Sequence, residues 1–153
     1  MGSNQVSIYF SLSALALLIL SGITAIFLKN AAIDITIHDT YLVIAHYHIL
    51  ILISVFFGIW ALAYYITPKI LRISLNKTWS QIHFWSTLIG FLILVISIQS
   101  EKMSMSPRRY YSFDSYRQFD YLNVTITIVA ILLLASQLIY FFNVIYGLMK
   151  KRN

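Results

Sequence analysis

Asp34-Ile35-Thr36-Ile37-His38-Asp39-Thr40-Tyr41-Leu42-Val43-Ile44-Ala45-His46-Tyr47-His48 holds three of the four histidines and two of the five acids of this 153-residue chain. A nearly unbroken apolar stretch follows it, up to Pro68. Ionisable groups are costly at the edge of a membrane-length apolar run, so function is the default explanation for them. The reading of this segment decides whether the chain is a set of passive spans or carries a site.

The rest of the chain fits a membrane setting. It is 59% hydrophobic and only 10% charged, where a soluble domain of this size carries roughly a quarter charged residues. Four apolar runs stand out, at residues 6–28, 42–67, 79–99 and 121–149. Lys29-Asn30 stops the first, Pro68-Lys69 the second and Lys150-Lys151-Arg152 the fourth; Thr78 and Gln81 have capping-box spacing at the start of the third. Each run can cross a hydrocarbon core about 30 Å thick at about 1.5 Å per residue. The expected fold class is therefore all-α integral membrane, a single membrane domain over residues 1–153 with four transmembrane helices.

Several classes are excluded. The chain has no cysteine, so disulfides and thiolate metal sites are ruled out. The net charge of +6 does not indicate nucleic acid, because the basic residues sit at the ends of apolar runs and form no basic face. No charged stretch precedes the first run, as a cleaved signal peptide requires.

Four spans put both termini on one side. That side collects Lys69, Arg72, Lys77, Lys150, Lys151 and Arg152 and no acid. The other side holds all five acids, Asp34, Asp39, Glu101, Asp114 and Asp120, together with Lys29, Lys102, Arg108, Arg109 and Arg117. Positively charged loops stay inside, so both termini are expected in the cytoplasm or matrix, with the histidine segment at the outer surface.

On a helix, positions i and i+2 point about 200° apart. His46 and His48 therefore serve two different centres more readily than one metal. Two imidazoles used this way, about one turn below the outer surface, point to two haems flanking the helix. Tyr47 would give a short path between them. The competing reading is a pair of hydrogen-bonded interior histidines. His83, the remaining histidine, lies near the inner end of the third span, roughly 25 Å away along the membrane normal at helical rise. It cannot complete a haem held by His46 or His48, so it reads as a polar interior residue or interface anchor. Any haem must take its other ligand from another polypeptide. His38 and Asp39 could join a water-rich Mg²⁺ shell, or Asp39 or Thr40 could simply cap the second span. Arg108-Arg109 suit carboxylates such as haem propionates; lipid headgroups are the alternative.

His38-Asp39-Thr40-Tyr41, Ala45-His46-Tyr47-His48, Lys77-Thr78-Trp79-Ser80-Gln81-Ile82-His83-Phe84 and Pro107-Arg108-Arg109-Tyr110 together carry a resemblance. The chain resembles the last four of the twelve helices of haem–copper oxidase subunit I, most closely the cytochrome c oxidase type, over essentially its whole length. The resemblance implies that His46 is the axial ligand of the high-spin haem and His48 an axial ligand of the low-spin haem, with haem a expected in both places. It implies Mg²⁺ ligation by His38 and Asp39, shared with subunit II, and propionate binding by Arg108 and Arg109. Asp34 falls in the propionate region, and Tyr47 stands where the family usually has phenylalanine.

Departures are local. Met105-Ser106 replace the glycine and methionine before Pro-Arg-Arg. Ile96-Ser97-Ile98-Gln99-Ser100 lacks the proline and histidine of the family's third span, and Leu52 occupies a region that often holds small or polar residues. The copper ligands, the crosslinked tyrosine, the other low-spin haem ligand and the proton-input channels belong to the first eight helices.

The expectation is thus a split subunit I, this chain being its separately encoded C-terminal piece. A partner chain with eight helices would supply the copper ligands near the high-spin haem. Subunits II and III and the lipid bilayer would be further partners. Such a complex passes electrons from cytochrome c to O₂ with coupled proton pumping. The alternatives are a non-catalytic accessory membrane subunit and a quinol-oxidising relative. The mitochondrial inner membrane is expected, with the bacterial plasma membrane as the alternative.

Overall fold

The computed structural model describes residues 2–27, 32–37, 40–103 and 116–152. Helix α1 spans Gly2–Phe27, α2 spans His46–Leu71, α3 spans Lys77–Met103 and α4 spans Tyr116–Arg152. All four contain stretches long and apolar enough to cross a membrane. Their outward-facing residues are large and apolar, for example Leu15, Leu52, Ile89 and Leu134. That distribution suits lipid or neighbouring helices rather than water.

One element departs from the all-helical expectation. Strands β1 (Ala32–Ile37) and β2 (Thr40–Ala45) pair antiparallel, from Ala32 opposite Ala45 to Ile37 opposite Thr40. The second helix therefore begins at His46, not at residue 42, and Thr40 does not cap it. Local composition permits the strands, and their pairing selects them over helix. Ile33, Ile35, Thr36, Ile37, Tyr41, Val43 and Ile44 are β-branched or aromatic, types that favour a pleated strand.

The helix ends also shift. Pro68 does not stop α2, which runs on to Leu71; a proline in the last turn forfeits only one backbone bond. Arg72 follows with φ 51°, and Ile73 N–H donates to the Pro68 carbonyl at 3.3 Å. This is a Schellman ending with arginine in the left-handed position usually given to glycine. Helix α3 starts at Lys77, so Asn76 rather than Thr78 takes the capping position.

The chain divides into two compact units, Met1–Lys77 with Tyr146–Asn153, and Thr78–Ile145. In the first unit α1 and α2 run antiparallel in a fixed register. Ser7 Oγ donates to the Ala61 carbonyl (2.8 Å), Ser54 Oγ to the Ala14 carbonyl (2.7 Å) and Ser21 Oγ to the Tyr47 carbonyl (3.1 Å). The α1 positions 7, 14 and 21 are seven residues apart, and so are their partners 61, 54 and 47. Seven residues make about two turns, so all three contacts lie along one seam. Phe10 fills the seam between Phe57 and Tyr64, with ring centroids 5.5 and 5.6 Å away. At the far end Lys151 Nζ donates to the Leu71 carbonyl at 2.9 Å. The N-terminal end of α1 and the C-terminal ends of α2 and α4 thus lie together.

In the second unit α3 and α4 are joined by polar side chains. Asn143 Nδ2 donates to Ser80 Oγ at 2.9 Å, His83 Nε2 lies 3.0 Å from Gln137 Oε1, and Thr87 Oγ1 lies 3.4 Å from Ser136 Oγ. Ser80, His83, Thr87, Ser136 and Asn143 are all buried. Where lipid offers no hydrophobic contrast between helices, such bonds and close packing hold a pair together.

Candidate functional site

His46, Tyr47 and His48 form the first turn of α2, directly after β2. The side chain of His46 lies outside the described residues. His48 is exposed and Tyr47 half-buried, with ring centroids 4.2 Å apart and planes tilted by 41°. Among the described residues the His48 imidazole has no hydrogen-bond partner. It is exposed on a helix whose next five residues, Ile49-Leu50-Ile51-Leu52-Ile53, are all apolar. An imidazole in this setting is available as a ligand, so the described part of the segment fits an axial haem ligand.

The turn is tied to α1 at one point. Ser21, only 3% exposed, donates to the carbonyl of Tyr47, the residue between the two histidines. Sequence reasoning missed Ser21. The available signal was small residues at seven-residue spacing, Ser7, Ala14 and Ser21, along a membrane helix.

The other site residues divide as follows. Asp34 lies in β1 opposite Val43, and its side chain is outside the described residues. His38, Asp39, Arg108 and Arg109 lie wholly outside them. Among the described residues no group of three or more histidines and acids could hold a metal ion.

His83 matches the interior role expected from its depth. It is fully buried, bonded to Gln137 and 6.2 Å from the Tyr140 ring centroid. The network orients the amide. Gln137 Nε2 donates to the Leu133 carbonyl at 2.7 Å and to Ser136 Oγ at 2.7 Å, so Oε1 accepts from His83 Nε2–H. That nitrogen is occupied.

Four helices long and apolar enough to cross a membrane define a multi-pass membrane protein, with an exposed imidazole on the first turn of one of them. The chain belongs to the family described as Cytochrome C and Quinol oxidase polypeptide I, whose model matches residues 2–150. It is 30% identical over 141 residues to a cytochrome c oxidase subunit 1 from Alkalihalophilus pseudofirmus, covering 92% of this chain and 23% of the relative. It is 34% identical over 105 residues to a cytochrome c oxidase subunit 1 from Yarrowia lipolytica, covering 69% of this chain and 20% of the relative. An alternative cytochrome c oxidase subunit 1 from Bradyrhizobium diazoefficiens is 26% identical, with 94% and 25% covered. The chain thus spans about a quarter or less of the length of these relatives. No solved structure matches it.

Proposed function

We propose that this chain is the C-terminal four-helix part of subunit I of a terminal oxidase, supplying axial ligands to two haems. The observation that carries the reading is the pair of histidines in the first turn of α2, one of them exposed without a hydrogen-bond partner among the described residues. His48 would hold the low-spin haem and His46 the high-spin haem, the one that would supply the O₂-reducing iron. Bound there, the iron supplies the one-electron chemistry. The protein's share is to set ligand, orientation and local charge.

The α2 backbone between the histidines, with Tyr47, links the two ligands by a short covalent path. Their opposite ligands, and the copper ligands, come from sequence outside these 153 residues. The reading extends to His38 and Asp39 as Mg²⁺ ligands shared with subunit II. Arg108 and Arg109 bind the propionates, with Asp34 nearby. These roles rest on the sequence resemblance.

The whole chain acts as one membrane domain within a twelve-helix bundle. The end of the first unit that gathers Lys69, Arg72, Lys77, Lys150 and Lys151 faces the cytoplasm or matrix. The single geometry of the α1, α2 and α4 ends supports that sidedness, together with the charge bias. Electrons enter from cytochrome c, and proton pumping accompanies O₂ reduction.

The test is purification of the complex through a tag on this chain, followed by O₂ uptake with reduced cytochrome c. Haem and cytochrome c-dependent uptake are expected. Uptake driven by quinol alone would reassign the donor, and a complex without haem would leave an accessory subunit as the reading.

A further inference from the structure

We propose that Ser21 is a positioning residue for the two-histidine turn, fixing the rotation and depth of His46 and His48 through the Tyr47 carbonyl. The proposal rests on the haem reading above. The first turn of a helix is its least constrained part, because its N–H groups have no intrahelical acceptors. Both histidines sit on such a turn, at the junction of β2 and α2. A ligand pair there needs support from outside its own helix.

Ser21 provides that support at the residue between the ligands. Its hydroxyl is buried and donates to the Tyr47 carbonyl at 3.1 Å. A carbonyl has two lone pairs, so this bond adds to the helical one. The contact is also the last of three in one register, after Ser7 with Ala61 and Ser54 with Ala14. Sliding α2 by one residue or rotating it by one position would break all three. Helix α1 therefore acts as a ruler, and Ser21 is the mark that meets the ligand turn. Ser7 makes the same kind of bond at the opposite end of the seam, so it serves as an internal comparison.

The test uses the purified complex containing the full chain, with Ser21→Ala, Ser21→Thr and Ser7→Ala. Two signals are read: hydrogen exchange of the first helix-bonded amides of α2, residues 49–53, and the reduced-minus-oxidised haem spectrum. Loss of one interhelical bond at Ser21 is expected to speed exchange of these amides about threefold and to shift the haem bands. Ser21→Thr keeps the hydroxyl and should restore both signals. Ser7→Ala should move neither. Unchanged exchange and unchanged bands in Ser21→Ala would overturn the proposal, as would an equal effect from Ser7→Ala. If Ser21→Ala gives no complex, Ser21→Cys, with its weaker donor, takes its place with the same expected and contrary results. A wild-type complex without haem would defeat the haem reading instead, and the exchange ratio alone would then decide positioning.

Discussion

His83 Nε2 lies 3.0 Å from Gln137 Oε1 across the α3–α4 seam, with the histidine fully buried. This imidazole is committed to holding two helices together. The substitution His83→Leu should therefore leave haem content and the optical spectrum intact. It should lower the thermal stability of the complex by about 1–2 kcal/mol, because Gln137 loses its partner in a dry setting. Haem loss equal to that of a His48 variant would contradict the assignment.

Gly90 is a steric contact point in the same seam. A Cβ there would lie 2.6 Å from Cδ2 and 2.8 Å from Cγ of Leu133. The leucine side chain can move, and alanine favours the helix by about 1 kcal/mol, so Gly90→Ala should cost no more than about 2 kcal/mol. Adding Leu133→Ala should recover the crowding part of that loss. The signature is a non-additive double-mutant cycle in thermal unfolding.

The serine seam of α1 and α2 should behave as separate small contributions. Ser7→Ala and Ser54→Ala should each cost about 0.6 kcal/mol, the usual size of an interhelical hydrogen bond in a membrane. Their partners lie two turns apart, so the effects should add. Unfolding of both single variants and the double variant measures this.

Arg72 occupies a left-handed backbone position with φ 51°, and its side chain is exposed. Arg72→Gly should stabilise the α2 ending by up to about 1 kcal/mol. A clear loss of thermal stability would show that the arginine contributes more than it strains.

Much of this was legible beforehand. The four helices followed from apolar length alone, and the interior role of His83 followed from its depth along the third span. The start of α2 did not. The run from Leu42 to Ala45 is apolar enough for a helix, and only its pairing with residues 32–35 makes it a strand; such pairing is a non-local fact. Pro68 was a misleading stop because its missing N–H forfeits one bond to the preceding turn without preventing the residues after it from completing a last turn. The serine seam escaped because Ser7, Ser21 and Ser54 are unremarkable one at a time. The seven-residue spacing of Ser7, Ala14 and Ser21 marks a seam, but the partners are backbone carbonyls, which no side-chain pattern identifies.

The central claim is that one turn of α2 serves two haems. The direct measurement is the reduced-minus-oxidised absorption spectrum of the purified complex carrying His48→Ala or His46→Ala. His48→Ala should remove the low-spin haem signal and leave the high-spin one, and His46→Ala should do the reverse and abolish O₂ uptake. A complex that keeps both signals in either variant would contradict the account.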